Sequence, residues 1–152
     1  MKILEKILIA CAAGLLWNAA ARADDSALTA PVKSVYDDYL KIQASLANDS
    51  MDRVAENADA IAKVVQSNAN ALPAEVSSEA GDVAKATDLP SARAAFKPLS
   101  NSLIKYLADH KDKTAYVQVY CPMANASWLQ GDKNVKNPYL GKEMSECGEI
   151  QN

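Results

Sequence analysis

The chain has 152 residues, with 16 basic and 19 acidic side chains, one histidine and a formal net charge of −3. That length suits a single domain with its own hydrophobic core. The mild acidity argues against nucleic acid as a partner, because binding to phosphates needs a basic face. It argues equally against attraction to anionic membrane surfaces.

Residues 1–23 have the pattern of a cleavable secretory signal. A positively charged start is followed by an apolar run over Ile7–Trp17 and by Ala21-Arg22-Ala23 before an acidic pair. The run is shorter than the roughly 20 residues that span a bilayer. We therefore predict cleavage after Ala23, export to the periplasm and no membrane insertion of the remaining chain. A second interpretation is a lipoprotein acylated at Cys11, although the apolar run continues well past that residue.

Cleavage would leave residues 24–152, with 13 basic and 18 acidic side chains. Cys11 is lost with the signal, so only Cys121 and Cys147 remain. Two cysteines in an exported protein form a disulfide by default. That interpretation stands beside every other role considered for the pair.

Residues 24–113 carry four apolar stripes with three- and four-residue spacing, which predict four helices. We place them at Thr29–Asn48, Met51–Ser67, Ala74–Ala86 and Ser91–His110. Asn48-Asp49-Ser50 should end the first helix and cap the second. Four such helices with short connections predict a mainly α fold, an antiparallel four-helix bundle.

Residues 114–152 differ in character, and we assign them to a C-terminal segment that packs on the bundle within the same domain. Tyr116–Tyr120 alternates as a short strand or part of a hairpin does. From Cys121 onward, prolines and glycines predict irregular structure. Long, ordered, irregular segments often carry function.

The C-terminal segment concentrates the sulfur atoms. Cys121 and Met123 form one pair, and Met144 and Cys147 form another. Thiolates and thioethers are soft donors that select Cu(I) over hard cations. The four side chains are therefore candidate ligands for a soft metal, and His110, at the end of the fourth predicted helix, is a fifth candidate.

Each candidate also has a structural interpretation. A Cys121–Cys147 disulfide would stabilise the fold by about 3–4 kcal/mol on the loop-entropy model. Met123 and Met144 would fill gaps in a core, and His110 would favour the dipole at a helix C-terminus. The sequence has no catalytic triad with supporting glycines, no phosphate-binding loop and no dinucleotide fingerprint, so we predict that the protein is not an enzyme.

Several segments resemble a bacterial domain of unknown function. They are Val35–Gln43, Ala95–Leu103, Cys121–Asn125, Trp128-Leu129, Asn137-Pro138-Tyr139, Gly141, Met144 and Cys147-Gly148. That domain occurs as a separate exported protein and is also fused to periplasmic adaptor subunits of copper/silver efflux systems. The resemblance implies a helical bundle with a Cys/Met-containing segment and a role in copper or silver handling.

Two main hypotheses follow, beside a third in which the protein is redox-responsive and disulfide formation competes with metal. In the first, the protein binds Cu(I) or Ag(I) in the periplasm for metal buffering, delivery or efflux, with a metal efflux or copper-handling protein as its partner. In the second, it is a disulfide-stapled helical module for protein interaction that holds no metal. The two differ in whether the methionine side chains approach the cysteines or enter the core.

Overall fold

The computed structural model describes residues 28–110 and 114–151. Four helices come first: α1 (Ala30–Ala47), α2 (Val54–Ser67), α3 (Ala74–Ala84) and α4 (Leu89–His110). They are followed by β1 (Val117–Cys121), β2 (Ala126–Gln130), a 3₁₀ helix (Gly141–Met144) and β3 (Glu149–Gln151). The prediction of a mainly helical protein with four helices is confirmed. The predicted signal peptide lies outside the described residues.

The helices form where the apolar stripes predict them. The stripe of α1 is fully buried at Val35, Tyr36, Tyr39, Ile42 and Leu46. Helix α1 packs on α2, α2 on α3, and α3 on α4, which continues through Pro98. No helix among the described residues is both long and apolar enough to cross a membrane.

The predicted cap of the second helix is wrong. Helix α2 begins at Val54, after Arg53 in the left-handed region at a φ of 56°, and no side chain caps it. The Ser50 hydroxyl instead accepts a hydrogen bond from the Asp52 amide at 3.0 Å. Such a local turn competes with a helix cap, and it delays the start of the helix.

The C-terminal segment is more regular than its punctuation predicts. Its strands form an antiparallel sheet in the order β2-β1-β3, in which Val119 pairs with both Trp128 and Ile150. The sheet packs on α1 and α4 through β2. Trp128, Leu129 and Gln130 are consecutive and all buried, so β2 lacks the alternation that would reveal a strand in the sequence.

A chain of buried hydroxyl groups attaches this segment to the helices. The Leu129 amide donates to Tyr39 Oη at 3.1 Å, and Tyr39 Oη lies 2.9 Å from Ser100 Oγ. Tyr139 Oη lies 2.8 Å from the Ser127 carbonyl and 3.1 Å from Ser100 Oγ. Because a phenol has one proton, Tyr139 Oη donates it to the Ser127 carbonyl. Ser100 Oγ therefore donates to Tyr139 Oη. Burial raises the pKa of both phenols, so they stay neutral.

Glu79 gives the fold a testable pH dependence. Its Oε1 accepts a hydrogen bond from Ser102 at 3.0 Å, whereas its Oε2 is buried without a hydrogen-bond partner. Desolvation raises the pKa of this carboxyl, and nearby Glu75 and Asp82 add to the shift. A raised pKa in the folded state means that ionisation above that pKa costs stability. We expect Glu79→Gln to raise the Tm at neutral pH.

The gain should disappear when the pH falls below the pKa of an unfolded glutamate, because Glu79 is then protonated in both states. Thermal denaturation between pH 4 and pH 8 measures the effect, with exposed Glu146→Gln as the control. A Tm gain of the same size at both ends of the range would show that ionisation of Glu79 is not its cause.

Candidate functional site

Cys121 and Cys147 form a disulfide, with their Cα atoms 5.7 Å apart. The bridge joins the end of β1 to the residue that precedes Gly148 and β3. Cys121 is fully buried and Cys147 is half-buried. The structure thus brings the predicted cysteine pair together in its oxidised form.

Both methionines lie near the bridge and on the surface. Met123 is in the turn between β1 and β2 with 69% of its surface exposed, and Met144 ends the 3₁₀ helix with 39% exposed. The Cys147 amide donates to the Met144 carbonyl at 3.1 Å, so this pair shares one turn. Neither methionine fills the core, so the interpretation of these two residues as gap-fillers in the core is wrong.

His110 has its contacts elsewhere. Its ring stacks on Tyr106 with centroids 4.0 Å apart, and its Nδ1 lies 2.8 Å from the Tyr106 carbonyl oxygen. The groove beside it is lined by the connection between α2 and α3, including Leu72 and Pro73. The observed contacts of His110 are therefore with these groups and not with Cys121 or Cys147.

The side chain of Arg93 on α4 connects this helix to the chain segment that leads to Met144. Its guanidinium donates to the Pro138 carbonyl at 2.8 Å and to Asp49 Oδ1 at 2.6 Å. The other oxygen of Asp49 accepts the Lys142 amide at 3.1 Å. The hydrogen bond from Arg93 holds the pKa of the Asp49 carboxyl below its usual range, and the one from the Lys142 amide adds to this. Asp49 therefore stays ionised and links α4 to the 3₁₀ helix.

Lys97 connects α4 to the turn that contains Met123. It lies one helical turn after Arg93 on α4 and donates to the Ala124 carbonyl at 3.0 Å. Its ammonium also lies 5.9 Å from the ring centroid of Tyr139. Two basic side chains of α4 thus hold the segment that contains Met144 and the turn that contains Met123. Neither side chain was predicted to have this role from the sequence. Their spacing of four residues was the only available signal.

The donor chemistry of the bridged form is limited. Within residues 28–110 and 114–151 no group of three or more histidine, cysteine, aspartate or glutamate side chains is arranged to hold a metal. Methionine thioethers are soft donors in addition to these four residue types. Because a cysteine binds metal as the thiolate, only reduction of the bridge would supply the two strongest soft donors.

The bridge should contribute to stability. Reduction is expected to lower the free energy of unfolding by about 3–4 kcal/mol, as the loop-entropy model gives for this separation. Urea denaturation with and without dithiothreitol measures the difference. Cys121→Ala/Cys147→Ala serves as the control and should not respond to the reductant. A loss below about 1 kcal/mol would contradict a stabilising role for the disulfide.

A substitution at Gly141 tests whether the contact between the 3₁₀ helix and the Asp49–Arg93 ion pair stabilises the fold. Its φ is +58°, and a Cβ there would overlap the Asp49 carboxylate and the Arg93 guanidinium. We expect Gly141→Ala to cost more than about 2 kcal/mol from backbone strain and loss of the ion pair. Gly81→Ala in α3 is the matched control, because nothing lies within 4 Å of its Cβ position. That change should stabilise by up to about 1 kcal/mol, and equal effects at both glycines would refute the role of Gly141.

The similarity of this chain to known proteins is limited to the helical part. Residues 35–115 match a family described as "Protein of unknown function (DUF3347)". No curated protein and no solved structure matches the chain. The match runs from within α1 through α4 and ends before Cys121, so the four candidate sulfur ligands of the C-terminal segment lie beyond it. Because it covers more than half of the sequence, the chain belongs to the DUF3347 family.

Proposed function

We propose that this chain is an exported, non-enzymatic protein that binds a soft metal ion, Cu(I) or Ag(I), at Cys121 and Cys147 in their reduced state. Met123 and Met144 supply thioether ligands. One observation carries the proposal: two exposed methionines lie beside the only cysteine pair of the described residues. An exposed thioether is accessible to a metal ion, and sulfur donors select soft metals.

The backbone separation fits the proposed ligand pair. Two thiolates bound to one ion at about 2.3 Å each are at most about 4.6 Å apart. The Cα atoms of Cys121 and Cys147 are 5.7 Å apart. Opening of the bridge and rotation of the two side chains therefore reach a shared ion without a change of backbone. Metal and disulfide exclude each other, because both use the same two sulfur atoms.

The surroundings favour a cation. Glu143, Glu146 and Glu149 are exposed in the segment that contains Cys147, and their negative charge attracts cations towards it. We leave His110 out of the proposed ligand set, because its ring and Nδ1 contact Tyr106. The exposed thioethers also suit transfer of the ion to a partner, an efflux or copper-handling protein in the periplasm.

The alternative is a protein-interaction module with a permanent staple. Complete burial of Cys121 favours it, since a buried disulfide resists exchange with external thiols. Exposed Met123 and Met144, together with Ile150 at the sheet edge, would then be contact residues for a protein partner. This alternative requires that Cu(I) does not bind after reduction.

Anaerobic titration separates the two functions. Reduced protein is mixed with Cu(I) in the presence of a chromophoric competing chelator, and we expect withdrawal of one Cu(I) per chain. Met123→Leu/Met144→Leu should weaken binding at least about tenfold, because loss of even an outer-shell partner of a ligand typically costs about 10–100-fold in metal affinity and these two residues are proposed as direct ligands. Met51→Leu is the matched control, since Met51 packs against the core.

The oxidised protein provides a second control and should compete poorly, because it lacks thiolates. If reduced protein withdraws no more copper than protein with both cysteines blocked, the metal function is wrong. The interaction module then remains.

A further inference from the structure

Asn137 occupies the centre of the segment that carries Cys147. The residue is fully buried. Its Oδ1 accepts the amides of Tyr139 at 2.8 Å and Leu140 at 3.0 Å, and its Nδ2 donates to the Cys147 carbonyl at 2.7 Å. The two amide donors fix which end of the side chain is the oxygen. The amide nitrogen is thereby directed at the backbone of Cys147.

The backbone of Asn137 closes the same loop. Its amide donates to the Ser145 carbonyl at 2.8 Å, and its carbonyl accepts the Gly141 amide at 3.1 Å. Five hydrogen bonds from one residue thus span residues 137–147. None of them involves a sulfur atom, so opening of the disulfide removes none of their donors or acceptors.

Cys147 is also held from its C-terminal side. A Cβ at Gly148 would lie 2.6 Å from Val119 Cγ1 and 2.8 Å from Trp128 Cη2, so the glycine backbone packs directly on the sheet. Strand β3 then pairs with β1 from Glu149 onward. On the other side of the bridge, Cys121 pairs with Ala126 in the ladder between β1 and β2. The backbones of both cysteines are therefore held by contacts other than the bridge.

We infer that Asn137 is the positioning residue that keeps Cys147 against Cys121 in the dithiol state. The disulfide and the dithiol then interconvert without rearrangement of the backbone. Reduction adds two electrons and two protons: the S–S bond breaks, two S–H groups form, and two molecules of a monothiol such as glutathione are oxidised to their disulfide. Reoxidation is favoured because the two thiols stay in contact. This inference deepens the proposed metal function, since the same fixed dithiol would receive the ion.

The test is the equilibrium of the Cys121–Cys147 pair with reduced and oxidised glutathione, without metal. Asn137→Asp keeps the acceptor for the two amides but replaces the donor to Cys147 by an oxygen. We expect its equilibrium to shift towards the dithiol by about tenfold, which equals about 30 mV for a two-electron couple. Exposed Asn134→Asp introduces the same charge nearby and should leave the equilibrium unchanged.

A purely structural role predicts a different result. Loss of a general packing contact would destabilise the oxidised and reduced proteins equally, so the exchange equilibrium would stay at the wild-type value. That outcome would overturn the inference. Positioning of Cys147 predicts a larger fall of Tm in the oxidised form than in the reduced form, because a shift of the folded protein towards the dithiol means that the bridge stabilises the variant less than the wild type.

Asn137→Ser is the second variant if Asn137→Asp does not fold. A serine hydroxyl can accept an amide of the turn but is too short to reach Cys147. Failure of both oxidised variants to fold would also overturn the inference, because Asn137 would then be required for the fold as a whole and not for the position of Cys147. A shifted equilibrium without Cu(I) binding would refute the metal function alone. Cu(I) binding with an unshifted equilibrium would refute the role of Asn137 alone.

Discussion

The chain of hydroxyl groups that joins Tyr39, Ser100 and Tyr139 determines where the C-terminal segment lies on the helices. It begins at the Leu129 amide of β2, crosses α1 and α4, and ends at the Ser127 carbonyl. Each donor has one acceptor, and a buried polar group left without a partner would cost about 1–3 kcal/mol. These hydrogen bonds therefore favour the observed position of the sheet on the helices, and the cysteine at the end of β1 takes its location from that docking.

The sequence predicted the helices because burial of a helix face leaves a periodic trace. Val35, Tyr39 and Ile42 recur at helical spacing and are all fully buried. The same logic fails for β2, where the helices on one side and the folded-back loop on the other bury consecutive residues. It fails for β3 as well, because its three residues are all exposed. A strand without alternation has no signature in a single sequence.

The candidate site was predictable in composition but not in geometry. Cys121, Met123, Met144 and Cys147 were identified by type, and the structure joins the cysteines while it leaves both methionines on the surface. The groups that hold them were missed, because Arg93, Lys97 and Asn137 donate mainly to backbone carbonyls. Every residue has such a carbonyl, so sequence patterns give no means to select the acceptor. The pairing of Arg93 with Asp49, 44 positions away, has the same cause.

In the proposed function the bridge and the ion compete, and their competition sets the working affinity. The metal binds only the dithiol, so the apparent affinity equals that of the dithiol multiplied by the fraction of protein that is reduced. A firmly positioned pair changes the two terms in opposite directions: it lowers the reduced fraction, because it favours the disulfide, and it raises the affinity of the dithiol, because the ligands are already in place. If the proposed function holds, the backbone contacts around Asn137 and Gly148 would make the protein a strong binder under reducing conditions and a weak one under oxidising conditions. The exposed thioethers of Met123 and Met144 are the only proposed donors that both states share.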